Sequence, residues 1–151
     1  MKIYRLHQKQ NLNISIETAW DFFSNPKNLS RITPKKMGFD IKTELPKKMY
    51  AGMIIEYKVK PILNIPLTWV TEITHVNEPF FFIDEQRFGP YKFWHHQHIF
   101  KQTTNGVEME DIVHYGLPMG IFGRMVHPII VKPELEGIFN YRSEFLKNHK
   151  F

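Results

Sequence analysis

Between Phe39 and Met119 the chain alternates with a period of two, and outside that stretch it changes to a different rhythm. Met53, Ile55, Tyr57 and Val59 alternate with Ile54, Glu56, Lys58 and Lys60. Leu67, Trp69, Thr71 and Ile73 repeat the pattern, and so do the runs 80–88, 92–101 and 107–115, with a shorter run at Phe39, Ile41 and Thr43. Side chains that alternate in this way belong to strands with one face turned inward. Asn77-Glu78-Pro79, Gly89-Pro90 and Asn105-Gly106 separate the runs, and Asn-Gly is a strong hairpin signal. A parallel crossover needs a dozen or more residues, so connections this short predict antiparallel neighbours.

The flanks supply the helices. Residues 3–14 read as a first strand. Ser15 then suits an N-cap, with Ile16, Ala19, Trp20 and Phe23 on one helical face. Asn25-Pro26 stops that helix, because the residue before proline avoids the helical region. Residues 26–32 can add one or two turns before Pro34. After Gly116-Leu117-Pro118 the period becomes 3.6, in an apolar stripe running from Ile121 to Leu146. Pro128 and Pro133 interrupt it, which predicts a kinked or two-piece helix ending near Asn148.

The order predicts an α+β fold, β-α-α-β6-α, as a single domain over 1–151. About seven antiparallel strands form a curved sheet wrapped around one long C-terminal helix. One helix leaves space inside such a sheet, and that space is an internal cavity. Composition agrees. Aromatic residues make up 15% of the chain, which is unlike a disordered segment. The absence of Cys excludes a disulfide framework and thiolate chemistry.

The formal charge is +5 and unevenly placed, with ten Lys/Arg against four Asp/Glu in residues 1–50. These lysines come as Lys35-Lys36 and Lys47-Lys48 beside prolines, which reads as solvated loop rather than a nucleic-acid stripe. No run approaches the ~18 apolar residues of a membrane span. The opening MKIYRLHQKQNLNI has no apolar leader core, so a cytoplasmic location without integral membrane association is expected.

The chemistry concentrates in FWHHQHIF. Parity puts Trp94, His96, His98 and Phe100 on one face. It groups Phe82, Asp84 and Gln86 on the preceding strand, and Met109, Asp111 and Tyr115 on the following one. If these faces turn inward, Asp84, Gln86, His96, His98 and Asp111 become the polar groups of a cavity. Its apolar wall would take Tyr57, Trp69, Phe82, Trp94, Phe100, Met109 and Tyr115 from the sheet. Phe122, Met125, Ile129 and Phe139 would join from the helix stripe. Three readings stay open: ligand contact, a closed hydrogen-bond network that satisfies buried polar groups, or surface histidines with Phe93 and Ile99 in the core. His96 and His98 with either aspartate have metal-ligand types, but nothing in the spacing demands a metal, and no cofactor is expected. No G-x-S-x-G or phosphate-binding glycine loop is present.

Several segments resemble one superfamily over the whole chain. They are ISIETAWDFFSNPKNLSRITP, TWVTEI, FIDEQ-x-x-GPY-x-x-W-x-H-x-H-x-F, D-x-V-x-Y-x-x-P-x-G from Asp111 to Gly120, and IFNYR from Ile138 to Arg142. In these the sequence resembles the START-like (SRPBCC) superfamily, of helix-grip or Bet v-type fold, and within it a bacterial ligand-binding subgroup. The resemblance implies a hollow for small apolar molecules such as lipids, sterols, polyketides, hormones or aromatic rings. Some branches are enzymes, among them polyketide cyclases and the iron-dependent catalytic domains of Rieske oxygenases. Binding of a small hydrophobic molecule is the expected function. A cyclase, dehydratase or hydrolase-like enzyme using a His–Asp pair is the alternative, and a membrane- or protein-facing accessory protein is a third. Neither the ligand nor the oligomeric state is legible.

Overall fold

The computed structural model describes residues 1–60 and 65–151. Strand β1 (Ile3–Leu12) leads into α1 (Ile16–Phe23), α2 (Pro26–Leu29) and a 3-10 turn at Lys35–Met37. Six strands follow: β2 (Asp40–Ile41), β3 (Met53–Val59), β4 (Leu67–Asn77), β5 (Phe81–Phe88), β6 (Phe93–Thr103) and β7 (Gly106–Gly116). The chain ends in α3 (Gly120–Val126), a π-helical turn (His127–Val131) and α4 (Lys132–Asn148).

The seven strands form one curved antiparallel sheet in the order β1-β7-β6-β5-β4-β3-β2. From β2 to β7 each strand pairs with its successor, as the short turns require. The first strand then closes against the last, from Ile3 opposite Gly116 to Leu12 opposite Val107. Register shifts interrupt the β4–β5 ladder at Val70/Thr71 and Ile73/His75. Irregularities of this kind increase local twist, which curves the sheet.

Period-two burial is clear in β6 and β7, where Trp94, His96, His98 and Phe100, and Met109, Asp111, Val113 and Tyr115, all lie inside. The alternative with surface histidines is therefore corrected: Phe93 is exposed and Ile99 only half-buried. Helix α1 forms where expected. Ser15 Oγ accepts from the Thr18 amide, and Asn25 caps α2 through the Lys27 amide. Trp20 of α1 packs edge-on against Phe82 and Phe100 at 5.9 and 6.0 Å. That contact closes one end of the concave face with a solid core.

The C-terminal helix covers the other end, with Leu135, Phe139, Arg142 and Leu146 turned inward. The prolines do not divide the helix into two separate pieces, since α3, the π turn and α4 run on without a break. Pro128 sits in the π turn, and Pro133 in the first turn of α4, where its missing N–H is tolerated. The wider i→i+5 turn changes the phase of the helix. Before and within it the inward row is Gly123, His127 and Val131. Phe122, Met125 and Ile129 are consequently exposed, by 65%, 64% and 75%, and their expected place in a cavity wall is corrected. Among the described residues no helix is long and apolar enough to cross a membrane.

Candidate functional site

A pocket of about 160 Å³ lies between the sheet and α4, beyond the core that α1 fills. Tyr57, Trp69, Phe82, Trp94 and Phe139 line it, as do Asp84, His96 and His98. Strand pairing brings the polar groups together. Asp84 stands opposite His96 across β5–β6, and His98 opposite Asp111 across β6–β7. Side chains at facing positions on one side of a sheet lie within contact distance.

The result is a buried four-residue cluster. His96 Nε2 lies 2.9 Å from Asp111 Oδ1, and its Nδ1 lies 3.3 Å from Asp84 Oδ2. His98 Nε2 lies 2.9 Å from Asp84 Oδ2. His98 Nδ1 is 3.0 Å from Asp111 Oδ1, but off the line a hydrogen bond needs, and it has no partner among the described residues. Trp94 Nε1 donates to Asp84 Oδ1 at 3.3 Å. Arg142 Nη1 of α4 reaches 3.6 Å from Asp111 Oδ2, and its guanidinium lies over the Phe139 ring at 4.8 Å.

Both ring nitrogens of His96 face carboxylates, and only the imidazolium can donate from both. Burial opposes that charge, but Asp84 and the hydrogen bond to Asp111 outweigh it and raise the His96 pKa. Burial likewise opposes ionisation of the two acids. The charge of His96 and hydrogen bonds from both histidines hold the Asp84 carboxyl well below the usual carboxylate range. Asp111 is held low by the hydrogen bond from His96, by the close approach of His98 and by Arg142. Two carboxylates are thus balanced by His96 and Arg142, which is how charge survives burial.

The other expected residues fall elsewhere. Asp111 sits behind the histidines and does not line the pocket. Gln86 closes the β5–β6 turn, its amide donating to the Tyr91 carbonyl at 2.6 Å and accepting from the Tyr91 amide at 3.2 Å. Phe100 and Met109 belong to the core around Trp20. Tyr115 packs with Trp94 and Leu135, and its hydroxyl lies 2.8 Å from His127 Nε2. Burial, helped by Glu136 and Tyr4, pushes that hydroxyl's pKa up to about 12. The pocket also has a wall that strand parity does not reveal, built by Phe22, Leu29, Ile32 and Met37. Their apolar character on the α1–α2 segment is the available signal. Tyr91 is a further unexpected lining residue, and burial raises the pKa of its hydroxyl strongly.

Asp84, His96 and His98 offer one ligand atom each, all within 4.8 Å of one another, so the chemistry of a divalent metal site is present. The same atoms already satisfy one another by hydrogen bonding. A metal would therefore compete with protons for them.

No family model matches the sequence, and no curated protein matches it. Solved structures do match. A protein of Thermus thermophilus is similar at TM-score 0.70 and 12% identity, over 95% of this chain and 97% of that one. Norcoclaurine synthase from Thalictrum flavum, solved with dopamine and hydroxybenzaldehyde, is similar at TM-score 0.67 and 17% identity, over 99% and 90%. Ara h 8.0201 is similar at TM-score 0.60 and 10% identity, over 98% and 100%. The chain has the helix-grip fold of the START-like, Bet v 1-type superfamily that its motifs resemble. At these identities the likeness concerns the fold.

Proposed function

We propose that the protein binds a small apolar or aromatic molecule in the pocket beneath α4, with Asp84, His96 and His98 orienting a polar group on it. The observation that carries this is the pocket wall, which is predominantly apolar, with the buried His/Asp cluster among its few polar groups. An apolar enclosure with a few convergent polar groups is what small-molecule recognition needs. Its size narrows the ligand class. A cavity of about 150 Å³ holds a benzene-sized guest in other proteins, so one ring or a short chain fits here better than a sterol.

A second function is favoured by one feature, the His96 and His98 hydrogen bonds to carboxylates at the pocket wall. That arrangement suits general acid–base catalysis, with Asp fixing the imidazole's orientation. A protein of the same fold, norcoclaurine synthase, is an enzyme solved with two aromatic molecules.

Displacement of a small single-ring fluorescent probe separates the possibilities. Binding requires displacement by single-ring compounds, and a protein that accepts neither the probe nor those compounds would refute it. Catalysis requires that His98→Ala abolish turnover of a true substrate while displacement survives. Elemental analysis after purification checks the expectation that no metal is held, and one equivalent of metal would overturn it.

A further inference from the structure

Helix α3 is amphipathic in the wrong direction for a buried element. Its inward row, Gly123, His127 and Val131, offers little apolar contact. A Cβ at Gly123 would stand 2.2 Å from the Pro118 carbonyl, so the helix packs tightly against the turn that leads into it. The outward face carries two adjacent rows at helical spacing, Ile121-Met125-Ile129 and Phe122-Val126-Ile130, all exposed. Met119 precedes them at 74% exposure, and Met1, also exposed, packs against Gly116 at the same end of the sheet. A contiguous patch of this kind is unusual on a monomeric protein and marks a contact surface.

The charge around the patch is predominantly positive. No Asp or Glu occurs between Asp111 and Glu134. Arg124 lies within α3, Lys2 follows Met1, and the Lys92 amide is bonded to the Gly116 carbonyl. Lys132 stands at the far end, 3.8 Å from Glu136.

We infer that α3 and the π turn form a membrane-interfacial surface, the apolar rows entering the headgroup boundary of an anionic lipid bilayer and the surrounding cations meeting its phosphates. Apolar side chains flanked by Lys and Arg on a short helix are the chemistry of monotopic attachment. A second copy of the chain is disfavoured, because it would bring two cationic rims together in a protein of net charge +5. The π turn that carries the last of these rows presents Val131 to the pocket from its opposite, buried face. The attachment does not depend on what the pocket holds.

Flotation with vesicles tests it, using phosphatidylcholine alone and equal parts phosphatidylcholine and phosphatidylglycerol, in parallel with sedimentation without lipid. The protein is expected to float with the anionic vesicles at low salt and to dissociate as salt rises. Phe122→Ser combined with Ile129→Ser should weaken flotation by at least roughly tenfold, since two apolar side chains lose their insertion. Arg124→Gln combined with Lys2→Gln should weaken binding to anionic vesicles and flatten its salt dependence. Tyr50→Ser, which alters an exposed ring in the turn before β3, should leave binding unchanged. All these positions are exposed, so circular dichroism should confirm an intact fold. Failure to float on anionic vesicles at low salt, flotation indifferent to the Phe122/Ile129 pair, or a dimer abolished by that pair would each overturn the assignment. Probe displacement from the pocket is read separately and is expected to survive every one of these variants.

Discussion

His96 is the residue on which the buried cluster turns, because its two ring nitrogens lie 2.9 Å from Asp111 and 3.3 Å from Asp84 and its pKa is raised. Asp111 balances Arg142 and His96 from behind. Asp111→Ala would leave two buried cations short of a partner and is expected to cost about 3–5 kcal/mol in urea unfolding. A loss below about 1 kcal/mol would mean the cluster is not charged. The pH dependence follows from the same groups. His96 has a raised folded pKa, so its contribution is fully present below the unfolded value of about 6.5 and is lost as pH rises through the folded value. Asp84 and Asp111 have lowered folded pKa values. Their contribution is present above about 3.9 and is lost as pH falls through the folded values. Chemical denaturation should therefore show stability declining above about pH 6.5, and His96→Gln should remove that decline. An unchanged alkaline slope in the variant would contradict the assignment. Strand parity is enough to read Asp84, His96, His98 and Asp111 as one inward group. It does not say that Asp111 lies behind the histidines, because parity gives the face of a strand and not the depth along a ray into the core.

Elements are legible where a local rule decides them. The Ser15 cap and the stop at Pro26 form as their residues require, and the hairpin forms at Asn105-Gly106 with Thr104-Asn105 as its loop and Gly106 opening β7. The strand faces need only alternation. The C-terminal helix departs from expectation at α3, because a 3.6-residue stripe does not carry across a segment whose turn is wider. Pro128 signals an interruption, yet a proline alone does not say which way the phase moves. Once α3 is rotated, Gly123 becomes its seat on the fold. Gly123→Ala should destabilise by roughly 1–3 kcal/mol in thermal or urea unfolding, as overpacking does, because the obstructing atom is backbone. Gly137→Ala meets nothing within 4 Å and serves as the control, expected neutral or slightly stabilising. Equal effects at the two glycines would contradict the seating of α3.

At the scale of the molecule, the aromatic residues divide between two jobs. Trp20 and Phe100 belong to the solid core under α1, Trp69, Tyr91, Trp94 and Phe139 surround the pocket under α4, and Phe23 and Phe82 serve both. The sequence shows one inward face running along each strand and cannot show where filling stops and space begins, since that depends on where α1 ends and α4 lies. This is why Phe100, Met109 and Tyr115, expected at a cavity, belong instead to packed clusters. A pocket of this size and lining should hold a single-ring molecule. Calorimetric titration with phenol, comparing the native chain with Ile55→Phe, tests it most directly, because Ile55 is 1% exposed and lines the pocket. One saturable site in the native chain, lost when the larger ring fills the space in a still-folded variant, is the predicted result. Absence of binding up to the solubility of phenol, or binding that Ile55→Phe leaves unchanged, would contradict it.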